Sequence, residues 1–309
     1  MKRRRSGCAI LAVGSVAFDT VKTPFGEVEK ILGGAASHFA LAASFFTQVN
    51  IVAVVGDDFT DKERDVFKGR PIDLSGLQTA AGKTFRWGGE YSYDLNERTT
   101  LFTELNVFEN FQPTIPDAYR TSEFVFLGNI HPKLQLDVVE QVRNPTLIAA
   151  DTMNYWIERT PKELGKMLKR VDVLLINDAE ARQLSEEYNL VRAAEKIHAL
   201  GPKTLVIKRG EHGVLLFNES HRFAAPAYPL EQVFDPTGAG DTFAGGFLGY
   251  LASQPTLSDD ALRRAIIFGS TLGSFCVEDF GTRRLEGITR DDVIRRYREF
   301  KKLTHFEDI

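Results

Sequence analysis

The sequence predicts an α/β protein with a parallel sheet, helices on both of its faces, and a β-rich insertion. Short apolar runs at 8–13, 49–55, 124–127, 146–150, 171–176 and 204–208 have the length of buried strands. Stretches of helical periodicity lie between several of them, and such alternation indicates a parallel sheet. Residues 72–108 break the alternation. There, Thr84-Phe85-Arg86-Trp87, Glu90-Tyr91-Ser92-Tyr93 and Thr99-Thr100-Leu101-Phe102 are rich in β-branched and aromatic residues, with Asn96-Glu97-Arg98 as a polar turn.

Whole-chain properties narrow the class. A chain of 309 residues permits one large α/β domain or two small ones. With 43% hydrophobic and 26% charged residues it can bury a large core. A net charge of -4 argues against a nucleic-acid partner, and Lys2-Arg3-Arg4-Arg5 reads as a solvated tail. Cys8 and Cys276 lie far apart without CxxC spacing, which suits a reducing compartment and offers no metal site. The apolar run after the basic stretch breaks at Gly14-Ser15 and meets Asp19, so it reads as a first strand and not as a signal peptide. No stretch approaches the ~20 apolar residues that span a bilayer. A cytoplasmic protein without a membrane partner is expected.

In chain order, the strand at 8–13 ends at Gly14 and is followed by Asp19, a residue type that also caps turns. Gly33-Gly34 opens a helix to Phe46, in which Ala35, Phe39, Ala42, Ala43 and Phe46 share an apolar face. His38 on that helix either contacts a ligand or packs under the loop. Val49 to Val55 leads to Gly56-Asp57-Asp58-Phe59. On pattern alone the two carboxylates could pair on a metal; capping a helix at 60–67 and shaping a pocket is the preferred reading. Phe124 to Leu127 leads to Gly128-Asn129-Ile130-His131-Pro132. Ligands bind beyond the carboxyl ends of strands in such sheets, so Asn129 is placed to reach one, while His131 reads as a loop residue. The strand at 146–150 leads to Asp151, and that at 171–176 to Asn177-Asp178-Ala179-Glu180, where Asn177 or Asp178 would cap a helix carrying Glu180 in its first turn. Thr204 to Lys208, Arg209 to Gly213 and Val214 to Phe217 read as strand, turn and strand. Ala261 to Phe275 is a long helix with Ala265, Phe268, Leu272 and Phe275 on one face, and Asp279-Phe280-Gly281-Thr282 follows it. The last helix, 290–303, reads as solvated surface.

The most informative stretch is Asp235-Pro236-Thr237-Gly238-Ala239-Gly240-Asp241-Thr242-Phe243. Gly238 and Gly240 permit a sharp turn and close approach of backbone to ligand. The helix that follows offers free N–H groups and a positive dipole end to an anion. Asp241 is then either a plain N-cap or a carboxylate facing the anion site, where phosphoryl transfer needs a base.

That run closely resembles the signature of the ribokinase-like (PfkB) family of carbohydrate and nucleoside kinases, with Pro236 where many members carry another small residue. Weaker matches at Gly33-Gly34 and Asn177–Glu180 extend the resemblance over nearly the whole chain. It implies a ribokinase-like fold: one domain over 1–309, a Rossmann-like parallel-sheet core with helices on both faces, and a small β-sheet lid from about 15–32 and 72–108. It also implies an ATP-dependent kinase that moves the γ-phosphoryl group to a hydroxymethyl group of a sugar or nucleoside. Asp241 becomes the catalytic base, and the N–H groups of Gly238, Ala239 and Gly240 the anion hole. Asp19, in a Gly-x-x-x-x-Asp context with Gly14, would bind two hydroxyls of the sugar, beside Gly33, Gly34, His38 and Asn129. His38 stands where the family carries Asn, so the usual sugar specificity is open.

On the nucleotide side the resemblance implies Asn177, Glu180, Lys208, Gly210, Thr237 and Ser270, the last on the helix that flanks the adenine. Glu180 and Asn177 would organise Mg²⁺ through water, and Asp151 would join that charge network. Asp235 and the loop near Gly281 imply a monovalent cation, K⁺. The lid would exclude water from the transferred phosphate and serve a homodimer contact. Two rivals share the fold: a catalytically silent sugar- or nucleoside-binding sensor, and a kinase of small heterocycles such as vitamin precursors. Intact Asp241 and Glu180 argue against the first; the aromatic lid and Asp19 argue against the second. Ribose, fructose-type sugars, keto-sugar acids and nucleosides all stay open as acceptors, with Arg86 or Arg98 available to an acid.

Overall fold

The computed structural model describes residues 8–219, 221–305 and 307; the basic run Lys2–Arg5 lies outside them. In chain order the strands are β1 (Ile10–Val13), β2 (Ala17–Thr23), β3 (Gly26–Gly33), β4 (Val49–Val55), β5 (Ile72–Thr79), β6 (Arg86–Tyr91), β7 (Arg98–Glu104), β8 (Phe124–Leu127), β9 (Leu147–Asp151), β10 (Val173–Asn177), β11 (Thr204–Lys208), β12 (Val214–Asn218) and β13 (Arg222–Ala225). One sheet runs β13-β12-β11-β10-β9-β8-β1-β4-β5, and a second, the lid, runs β3-β2-β6-β7.

The large sheet is parallel from β11 to β5, but β12 and β13 pair antiparallel at its edge. The parallel-sheet core expected from the sequence is present and carries an antiparallel edge. Arg209–Gly213 closes on itself, Arg209 N–H donating to Gly213 O at 2.8 Å, and a connection that short can only return the chain antiparallel. The chain runs from β1 to β4 and β5 towards one edge, then resumes at β8 on the other side of β1. Such a reversal opens a crevice at the carboxyl ends of the strands, where ligands bind.

Strand side chains alternate between two cores, one on each face. Ile10 and Ala12 enter one, with the helices Ala35–Ala43, Ala239–Ser253 and Asp259–Cys276. Leu11 and Val13 enter the other, with Pro132–Gln141, Pro161–Leu168 and Leu190–Leu200. The Ala35–Ala43 helix is buried on every side and not on one face alone. It lies between the sheet, where Phe39 stacks on Phe126 at 4.0 Å, and the Ala239–Ser253 helix, whose Gly245 and Gly249 leave no room for a side chain against Phe39 and Ala43.

Three expectations about the insertion change. Residues 72–79 form β5 and extend the large sheet, so this part of 72–108 is not lid. The runs at 84–87 and 90–93 join through Gly88-Gly89 into the single strand β6. Asp57 and Asp58 cap no helix: Asp57 accepts from Gly82 N–H (3.0 Å) and Asp58 from Thr84 N–H (2.7 Å), pinning the turn before the lid. The helix beyond them is short, Asp61–Asp65, and is capped by Thr60 with Glu63.

Candidate active site

Three adjacent parallel strands deliver the nucleotide-side residues in register. Asp151 ends β9, Asn177 ends β10 opposite Lys208 of β11, and Leu175 pairs with Asp151. Lys208 Nζ lies 2.9 Å from Asp151 Oδ2, with side chains only 16% and 8% exposed. Gln135, which sequence reading missed, is fully buried, and its amide donates to Gly128 O (2.9 Å) and Asp151 O (3.0 Å), tying β8 to β9. Asn177 and Glu180 form a capping box on the Asp178–Ser185 helix: Asn177 Oδ1 accepts from Glu180 N–H (2.7 Å) and Glu180 Oε2 from Asn177 N–H (2.9 Å). Asn177, not Asp178, is the cap.

The signature run folds into a clamped turn. Asp235 is fully buried, and its two oxygens accept from Thr237 N–H (2.8 Å) and Gly281 N–H (2.9 Å). Gly238 takes φ 74°, left-handed, and the helix starts at Ala239. A Cβ at Gly240 would sit 3.0 Å from Lys208 Nζ, so the ammonium stands against the helix start. Asp241 is in the first helical turn. Burial, then the nearby Asp151 charge, pushes its carboxyl up to about 7 against the pull of Lys208. Glu180 is pushed up to about 7 for the same reasons.

Asp19 lies on β2 and is buried, and burial with the Asp235 charge raises it to about 7. Any side chain at Gly33 would overlap its carboxylate, and Gly34 N–H donates to it. Gly34, at φ 90°, turns the chain into the next helix, its missing Cβ leaving room for Ser15 O. The double glycine therefore seats Asp19.

His38 packs under the signature turn. It is 1% exposed, and a Cβ at Gly238 would overlap its ring. Nδ1 lies 3.4 Å from Thr242 Oγ1 and 3.7 Å from Cys276 Sγ, and Nε2 has no partner among the described residues. Burial pushes His38 down to about 4, so the ring is neutral. Asn129 sits at the expected strand end, but its amide is engaged by Trp156 Nε1–H (2.9 Å) and Met153 Sδ (3.1 Å). His131 caps the Pro132–Gln141 helix, accepting from Lys133 N–H.

Thr237 Oγ1 meets Tyr91 OH of the lid at 3.0 Å, a contact no sequence signal marked. Gly210 opens the turn beneath the lid tip, where Asn96 Nδ2 reaches Glu211 Oε1 at 3.5 Å. Ser270 is half-buried one turn before Gly273, which packs against Ala239. The structure thus gathers Asp151, Glu180, Lys208 and Asp241 into one charge cluster, with Asp19 close enough to feel Asp241.

Among the described residues no group of three or more His, Cys, Asp and Glu could hold a metal alone. Carboxylates that repel one another beside a single lysine do suit a divalent cation that keeps most of its waters. Asp235, buried with no lysine or arginine paired to it among the described residues, suits a monovalent one. Among the described residues no helix is long and apolar enough to cross a membrane.

A helix start set against a lysine, with a carboxylate in its first turn and beyond the carboxyl ends of parallel strands, has the chemistry of a phosphoryl-transfer class of site. Residues 9–287 match the pfkB family of carbohydrate kinases, and the chain belongs to that family. It is 31% identical to the cytidine kinase of Thermococcus kodakarensis, over 80% of this chain and 90% of that protein. Its fold is similar to that of the nucleoside kinase of Methanocaldococcus jannaschii, with TM-score 0.76 at 21% identity over 95% of this chain and 99% of the other. It is also similar to aminoimidazole riboside kinase of Salmonella enterica, solved with aminoimidazole riboside and an ATP analogue, with TM-score 0.73 at 20% identity over 94% and 99% of the two chains.

Proposed function

We propose that this protein is an ATP-dependent kinase that transfers the γ-phosphoryl group to a hydroxymethyl group of a nucleoside, with sugars as the second acceptor class. The observation that carries this is Asp241, raised in pKa and set in the first turn of a helix that begins beside Lys208. Similarity to a cytidine kinase favours a nucleoside.

In this reading Asp19 holds the acceptor's hydroxyls, with Gly33 and Gly34 leaving room for it, and Asn129 stands at the rim. Asp241 takes the proton of the attacking hydroxyl. The N–H groups of Gly238, Ala239 and Gly240 and the helix dipole stabilise charge on the phosphoryl oxygens, helped by Lys208. His38 supports that turn from below. Asn177, Gly210, Thr237 and Ser270 line the nucleotide side. Mg²⁺, held through water by Glu180, would supply further neutralisation of phosphate charge. Asp235 would hold K⁺ and stiffen the turn.

The test is ADP release with MgATP across nucleosides, sugars and sugar acids, in K⁺ and in Na⁺. Turnover with a nucleoside, faster in K⁺, is expected. Absence of turnover with every acceptor, while acceptors still raise the melting temperature, would replace the kinase by a sensor.

A further inference from the structure

The last helix, Arg290–Thr304, is not simply the solvated surface its charge suggests. It buries Val293 and Phe300, and Arg296 lies between them on the same face. The Arg296 side chain is only 13% exposed. Its guanidinium lies over two rings, 3.4 Å from the centroid of Phe275 and 4.8 Å from that of Tyr228. It also donates to Glu278 Oε1 at 2.6 Å and to Ser274 Oγ at 3.1 Å. The other oxygen of Glu278 accepts from Arg284 Nε at 2.8 Å.

These partners sit on the two arms that flank the signature turn. Tyr228 lies on the segment that leads to Asp235. Ser274, Phe275 and Glu278 lie where the Asp259–Cys276 helix passes into the loop at 277–282. The arms join directly: Phe234 N–H donates to Val277 O at 2.8 Å, and Gly281 N–H to Asp235 Oδ2 at 2.9 Å. The loop therefore supplies one of the two backbone donors that fix Asp235, and Arg296 grips that loop and the opposite arm together. A planar guanidinium can face rings and fork to two acceptors at once; an ammonium has no such plane. Stability is a weak reason for the arrangement, because taking charges out of water costs about what their attraction returns. What the network does fix is one geometry for the loop.

We propose that Arg296 is a positioning residue for phosphoryl transfer. Through Glu278 it sets the loop at 277–282, the loop sets Asp235 through Gly281, and Asp235 sets the turn at Thr237, after which come the three N–H groups of the anion hole. This rests on the kinase reading. Arg296 itself touches neither substrate nor the reacting atoms. Donors that must stand within about 0.5 Å of their working positions need support of this kind.

The test uses the full chain and compares wild type with Arg296→Met, Arg296→Lys, Glu278→Gln and Val293→Ala. Methionine keeps the packing of the stem and drops the fork, and Glu278 keeps Arg284 as its partner, so no carboxylate is orphaned. Val293→Ala weakens the docking of the same helix and controls for stability. Two readouts are taken well below every melting temperature: kcat with both KM values, and hydrogen exchange of the Thr237 and Gly281 amides, the two that Asp235 accepts from. Arg296→Met should lose about tenfold in kcat with both KM values within about threefold, and both amides should exchange about tenfold faster. Arg296→Lys should recover little, because the fork is lost. Glu278→Gln should move both readouts the same way, and it carries the test alone should Arg296→Met not fold. Val293→Ala should lower the melting temperature and leave both readouts within about twofold of wild type. Unchanged exchange in Arg296→Met and Glu278→Gln would overturn the proposal, and so would faster exchange with full kcat. Val293→Ala reproducing both effects would also overturn it, assigning them to helix docking at large. A wild type without turnover would sink the kinase reading by itself, and the exchange rates would still judge the hold of Arg296 on the turn.

Discussion

The two halves of the site are built differently. The signature turn is clamped from all sides: Asp235 bonds it to Gly281, His38 fills the space beneath Gly238, and the helix behind it is buried through Ala252. The outer lid strands β6 and β7 reach the signature turn and the turn at 210–213 through single contacts, Tyr91 to Thr237 and Asn96 to Glu211, and nearly every residue of β7 is exposed. Buried groups with satisfied hydrogen bonds hold donors where charge develops, at no reorganisation cost during reaction. Few buried contacts mean low local stability, which an element that must open and close requires. On the kinase reading, the base and the anion hole belong to the rigid half and enclosure to the outer lid strands.

Replacing Gly238 by Ala attacks the rigid half. Alanine there meets both a left-handed φ and the His38 ring, so kcat should fall on the order of 100-fold. Adding His38→Ala should restore part of that loss, leaving a backbone cost of ~1–2 kcal/mol. Kinetics of the single and double variants decide; a double variant no better than the single would remove His38 as the support of the turn.

A second contrast lies in stability. Burial raises Asp241 from the ordinary 3.8 to about 7, so between those values the folded chain holds a proton that the unfolded chain has released. Stability from this group is therefore greatest at low pH and is lost as pH rises through about 7. Asp241→Asn should melt a few degrees above wild type at pH 8, and the gap should narrow as pH falls and close near pH 4, on the scale of ~1–2 kcal/mol per domain. Equal melting temperatures at pH 8 would show that the carboxylate is not strained there.

Tyr91→Phe probes the lid and should have the smallest effect. Losing one hydroxyl contact of about 1 kcal/mol should raise KM a few-fold and leave kcat nearly unchanged. A large fall in kcat would make the lid part of the rigid machinery.

What could be read in advance follows the same division. The signature turn, the double glycine and the Asn177–Glu180 cap were legible because each residue's own chemistry, a turn or a cap, is local. Strands β1, β4, β8, β10 and β11 were legible from apolar length alone. His38 was not, since its place under Gly238 depends on two segments 200 residues apart meeting. Tyr91 looked like an ordinary strand residue, because its contact with Thr237 joins segments 146 residues apart. Asn129 was placed at the correct strand end, but its engagement by Trp156 is a tertiary matter. The edge strand β13 has four residues and no alternation to reveal it.

The central claim is that Asp241 is the base, and the pH dependence of its loss tests that most directly. Acceptor kcat/KM would be measured for wild type and Asp241→Asn from pH 5 to 9. The account predicts a wild-type acidic limb near 7 and a rate ratio on the order of 10³ at pH 8. Below about pH 6 that ratio should shrink tenfold per unit, because protonated Asp241 is no better a base than the amide. A ratio that stays constant across the range, or an Asn variant as fast as wild type, would contradict it.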